Sequence, residues 1–142
     1  MNLSRRKALA LSGAAVVTIT LAPFKGVYAA SKEITAAIKE FTQGVSISDG
    51  SIELTTPEIA ENGNTVPVSV SAPGAKRIML LADGNPRPAV ATFNFSELSS
   101  SDGSTRIRLA KSQNIIAVAQ MSDGSFTQVI NSVKVTIGGC GG

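Results

Sequence analysis

The chain has 142 residues, enough for one domain, and 43% of them are hydrophobic but only 4% aromatic, so its core must be largely aliphatic. It has no histidine, no tryptophan and one cysteine, which removes the commonest general base and metal ligand and forbids an internal disulfide. The net charge of +3 comes from the first 29 residues, where Arg5, Arg6, Lys7 and Lys25 stand without an acid. The remainder holds nine basic against ten acidic residues and no basic run, which excludes a nucleic-acid footprint.

Residues 1–29 read as an export signal rather than as part of the fold. A basic start is followed by an apolar stretch from Ala8 to Ala22, and Val27 and Ala29 suit the small-residue positions before a cleavage point. The apolar run is short of the roughly 18–20 residues of a spanning helix, so cleavage is expected and no membrane span after it. Ser4-Arg5-Arg6 has the twin-arginine form, although Ala8 and Leu9 depart from that consensus. The twin-arginine route carries folded cargo, which suits a protein that acquires a partner before leaving the cytoplasm. The expected location is the periplasm.

Residues 30–43 form the next segment. Ile34, Ile38 and Phe41 recur at helical spacing with Ala37 on the same side, predicting a helix over 32–42 with Ser31 as its cap and Gly44 at its end. From residue 44 to 137 the period becomes two. "VSISDGSIEL" reads as a hairpin about Asp49-Gly50. "NTVPVSVS" puts Val66, Val68 and Val70 on one face, and Pro67 points to an edge or a bulge. "KRIMLLA" is a continuously apolar strand, "DGNPRP" a loop, and "AVATFNF" a strand with Ala91, Phe93 and Phe95 on one face. "SSSDGS" reads as a polar turn, and "TRIRLA" alternates charge with Ile107 and Leu109. "NIIAVAQM" and "FTQVINSVKVTI" follow, separated by Asp123-Gly124.

About seven short strands at this spacing predict a mainly β fold, an antiparallel β-sandwich of immunoglobulin-like type with a short N-terminal helix. Two acids, Glu58 and Glu61, sit in the Asn/Gly-rich stretch "TTPEIAENGNTVP", where a cation site competes with the plainer reading of a solvated loop. Lys76-Arg77 and Arg106/Arg108 offer anion contacts or ordinary solvent-face charge.

Residues 138–142 are the candidate site. The alternation of Val133, Val135 and Ile137 stops at Gly138, and Cys140 follows with Gly138, Gly139, Gly141 and Gly142 around it. Glycine on both sides predicts a thin, flexible arm that carries its sulfur into another protein's pocket. No lysine, arginine or histidine lies within five residues of Cys140, so its sequence neighbours do not activate the thiol. That pattern describes a carrier whose chemistry is supplied by others, with no catalytic residue, metal or cofactor of its own.

"KVTIGGCGG", "PEIAENGNTVPVSVS" and "IAVAQMSDGSF" resemble the corresponding segments of the SoxY family, the cysteine-bearing subunits of the periplasmic SoxYZ sulfur-carrier complex. The resemblance covers essentially the whole chain. It implies that Cys140 is the covalent attachment point for thiosulfate-derived intermediates. It implies a SoxZ-like subunit as heterodimer partner. It further implies a haem-containing conjugating enzyme, a sulfate-releasing hydrolase and, where present, a sulfane dehydrogenase. Two other readings compete. An exported structural module would use its lone cysteine for an intermolecular disulfide, which leaves the flanking glycines without a purpose. A ubiquitin-like carrier would activate Gly141-Gly142 as a thiocarboxylate, which the export signal opposes.

Overall fold

The computed structural model describes residues 31–136. The export segment and the glycine-cysteine segment 138–142 both lie outside the described residues. Within them, one helix and nine strands follow in chain order: α1 (Lys32–Thr42), β1 (Ile47–Asp49), β2 (Glu53–Thr55), β3 (Ile59–Ala60), β4 (Val66–Ser71), β5 (Ala75–Ala82), β6 (Ala89–Asn94), β7 (Asp102–Ile107), β8 (Gln113–Met121) and β9 (Phe126–Val135). The large sheet runs β1-β9-β8-β5-β6 with β3 also on β9, and the small sheet runs β2-β4-β7. This is the mainly β sandwich with one short helix that the alternation predicts. The ladders of the described residues are antiparallel except the two short parallel ones that β1 and β3 make with β9.

Strands β5 and β8 explain why the runs "IMLLA" and "IIAVA" within them are apolar without a break. Ile78, Leu80, Ala82, Ile115, Ala117 and Ala119 face the sandwich interior, against Val66, Val68 and Val70 of β4. Met79, Leu81, Ile116 and Val118 face the other way and are buried beneath α1 by Ile34 and Phe41. A strand covered on both faces has no reason to alternate. Phe126 closes the helix side, its ring edge-on to Phe41 at 5.9 Å.

The helix has the predicted limits. The Ile34 amide donates to the Ser31 hydroxyl oxygen at 3.3 Å, satisfying one of the free N–H groups of the first turn. Its end differs by one residue: Gln43 already takes the left-handed conformation, φ 54°, and Gly44 continues it at φ 82°.

Two turn readings are corrected. Asp49-Gly50 is not a hairpin: β1 joins β9 in the large sheet and β2 joins β4 in the small one, so the chain crosses between sheets there. Glycine is needed at position 50 for space, since a Cβ would lie 2.3 Å from the Thr127 methyl. "SSSDGS" is only half a turn, because Asp102-Gly103 begins β7. Pro67 sits in the middle strand of its sheet, yet β2 pairs only with Ser69–Ser71, so Pro67 has β7 alone beside it and is locally at an edge. The Asp123-Gly124 turn is a true hairpin, with Gly124 at φ 87°. The Ser125 hydroxyl donates to the Asp123 carboxylate at 2.6 Å and, with the Ser125 amide, holds that carboxyl below its ordinary pKa.

At Gly103 a Cβ would sit 2.7 Å from the Phe93 ring, which stacks on Phe95 at 6.4 Å. Gly103→Ala is therefore expected to cost about 1–3 kcal/mol through overpacking. Urea unfolding measures it, and Phe93→Leu in the same chain should recover most of the loss.

Candidate functional site

Cys140 and its glycines follow the end of β9 in the chain, and the fold spends several contacts on holding that end. Lys134 donates its amide to the Glu58 carbonyl at 2.9 Å and Thr136 donates to the Ala60 carbonyl at 3.1 Å, both on the β3 segment. On the other side of the strand, the Val135 amide donates to the Ser112 hydroxyl at 2.9 Å, and that hydroxyl lies 3.3 Å from the Val135 carbonyl. Thr136 is thus the last clamped residue described before the segment that carries the cysteine.

Ser112 is itself fixed by a polar lock. Gln113, nearly buried, donates from Nε2 to Asn85 Oδ1 and to the Lys111 carbonyl, each at 3.0 Å, and accepts from the Gly84 amide at 2.8 Å. Asn85 in turn donates to the Arg108 carbonyl at 2.7 Å and accepts from the Ala110 amide at 3.1 Å. Asp83 accepts from the Asn114 amide at 2.8 Å and from its side chain at 2.9 Å. The loops 83–88 and 108–112 are joined through these amides, and both stand at the root of the cysteine segment.

This lock brings Arg108 and Lys111 close to the root although both are far from Cys140 in sequence. Glu58 and Glu61 enter through their carbonyls, Glu61 accepting from the Thr136 hydroxyl at 3.4 Å. Among the described residues no group of three His, Cys, Asp or Glu could hold a metal ion. The "TTPEIAENGNTVP" stretch is thus the clamp of β9 and contains β3. Its two-residue strand is too short to show a period, and only Ile59-Ala60 hints at it. Gln113 and Asn85 also escape sequence reading, since polar side chains in a strand end and a loop look solvated.

A cleft of about 770 Å³ lies elsewhere. It is lined by Gly74–Arg77, Asn94–Glu97, Ser99, Ser101, Gln120 and Ser122. The register Gln120↔Phe126 places it at the start of β9. The length of β9, Phe126 to Val135, separates that point from the root, about 30 Å at roughly 3.3 Å per residue. The chain from Thr136 to Cys140 spans at most about 14 Å. The sulfur therefore cannot enter its own molecule's cleft.

The two basic pairs are not joined into one patch by the sheets: Lys76-Arg77 belongs to β5 of the large sheet and Arg106 to β7 of the small one. Arg77 lies over the Phe41 ring at 4.7 Å and donates from Nε to Gln120 Oε1 at 2.8 Å. Arg106 stands opposite Pro67 on the small sheet.

The family described as "Sulfur oxidation protein SoxY" matches residues 35–140, a span that ends on Cys140. The solved sulfur carrier protein SoxY from Chlorobium limicola f thiosulfatophilum is 36% identical, with a TM-score of 0.66 over 74% of this chain and 97% of that one. The chain belongs to the SoxY family. Two further structures share the fold alone. The superoxide reductase (neelaredoxin) from Ignicoccus hospitalis has TM-score 0.55 and 18% identity over 61% of this chain and 81% of that one. A protein from Pyrococcus horikoshii has TM-score 0.51 and 14% identity over 67% and 98% of the two chains. No curated protein matches.

Gln113→Leu removes the partner of the Gly84 amide and one partner of Asn85 in a nearly closed site. A loss of about 1–3 kcal/mol is expected. Hydrogen exchange should accelerate at Gly84, Ala110 and Val135 while the β5 and β8 amides keep their protection.

Proposed function

We propose that this protein is a periplasmic carrier of sulfur intermediates in thiosulfate oxidation, holding them covalently on Cys140. The observation that carries this reading is the family match running through to Cys140, together with the sulfur-carrier relative at 36% identity. The clamped end of β9 supports it physically: the strand is rooted as far as Thr136, and the chain from there to Cys140 spans at most about 14 Å.

The chemistry is supplied by partners. A haem-containing enzyme joins the Cys140 sulfur to the outer sulfur of thiosulfate. A new S–S bond forms, the thiol proton is released and two electrons pass to the haem protein. The product is a cysteine S-thiosulfonate. A hydrolase then adds water across the bond to the sulfonate, releasing sulfate and a proton and leaving a persulfide on Cys140. Where a sulfane dehydrogenase is present, it oxidises that outer sulfur further. The carrier itself contributes position and a thiolate, and its activation falls to the pocket that receives it. A SoxZ-like subunit accompanies it as a heterodimer partner, and the folded pair leaves by the twin-arginine route directed by residues 1–29.

Intact mass of the protein from cells oxidising thiosulfate tests the carrier role. A reductant-sensitive adduct of sulfur or thiosulfate mass on the peptide containing Cys140 is expected, and Cys140→Ser should abolish it. A bare thiol or only a disulfide dimer would instead favour the structural-module reading. For the route, replacing Arg5 and Arg6 by lysine should leave the uncleaved protein in the cytoplasm, as read by fractionation.

A further inference from the structure

The cleft beside the start of β9 is bordered by two cations that no carboxylate among the described residues neutralises, Lys76 and Arg77. Arg77 gives its Nε–H to Gln120 Oε1 at 2.8 Å and stacks on the Phe41 ring at 4.7 Å, so the guanidinium is held from two sides. A guanidinium has five N–H donors, and this bond uses one of them. Consecutive side chains of a regular strand point to opposite faces, yet Lys76 and Arg77 border the same cleft. The strand is not regular here. Ala75 stands opposite Met121 and Arg77 opposite Gln120, so Lys76 is an extra residue in β5, and a bulge of that kind re-aims side chains. Hydroxyl, amide and charged side chains make up most of the remaining wall, Asn94 and Ser122 among them, both exposed.

We infer that this cleft binds a small tetrahedral oxyanion, a doubly charged oxyanion of sulfur or phosphorus, on the terminal nitrogens of Arg77. The planar fork of an arginine meets two oxygens of such an anion at once, and a guanidinium already held in place loses little freedom on binding. Lys76 adds a second positive charge, and Asn94 and Ser122 bring N–H and O–H donors to the rim. A wall this polar gives an apolar ligand little to bury against. Glu97 lies in the same wall and is exposed. Its charge opposes the anion, so removing it tightens binding. The cleft lies about 30 Å from the root of the cysteine segment, and the inference does not rest on the carrier chemistry.

NMR titration of the isotope-labelled protein carrying Cys140→Ser tests it, with sulfate, thiosulfate or phosphate replacing chloride at constant ionic strength. Saturable shifts are expected at the Arg77 Nε–H, the Gln120 side-chain amide and the Gly74 and Lys76 backbone amides. Saturation by any of the three anions supports the inference, and the lowest half-point names the anion. Arg77→Gln should weaken binding roughly tenfold or more. Lys76→Gln should weaken it about threefold, and Glu97→Gln should tighten it by a similar factor. Both of these alter exposed side chains and keep the fold, so they decide the matter even if Arg77→Gln disturbs the helix through Phe41. Shifts that rise without saturating, or that Lys76→Gln and Glu97→Gln leave unchanged, overturn the inference. Equal saturation by acetate would overturn it too, since a singly charged carboxylate would then serve as well. Since the cysteine is absent throughout, failure here leaves the adduct experiment untouched.

Discussion

The structure depends on burying β5 and β8 on both faces. Their inner residues meet the three-stranded sheet and their outer residues meet α1, so a sandwich of modest size gains a second apolar layer from an eleven-residue helix. With few aromatic side chains available, this two-sided burial supplies what large rings would otherwise provide: about 25 cal/mol per Å² of apolar surface, from aliphatic residues at close packing. β9 is then held beside β8 along most of its length, and its far end becomes a fixed point ahead of the cysteine segment.

Much of this is readable from residues. Ile34, Ile38 and Phe41 announce the helix because helical spacing is visible in eleven residues, and Ser31 marks its start. Val66, Val68 and Val70 announce β4 because alternation is visible in six. What stays hidden depends on where the chain goes after a turn. Asp49-Gly50 and Asp102-Gly103 look like turns, but both glycines are required by neighbours distant in sequence, Thr127 and Phe93. β3 is two residues long, and its role lies in main-chain groups that any sequence possesses. The lock of Gln113 and Asn85 is hidden for a similar reason: amide side chains declare no partner until the fold brings loops together.

The candidate site divides likewise. Cys140 and its glycines are conspicuous as a pattern, and the family match extends to that cysteine. The clamp that roots them is not, because it is made of carbonyls, amides and one serine hydroxyl. The sequence shows the cysteine; only the fold shows what holds the strand ahead of it.

The length of β9 has a consequence for how the molecule can change. Its two ends are separated by about 30 Å and share no side chain, so substitutions at one should add to substitutions at the other with little coupling. The cleft at one end and the clamped root at the other are then separate features of one long strand. A lineage could remodel the cleft without disturbing the contacts that hold the end of β9. It could equally alter the residues at the root while the cleft stays as it was.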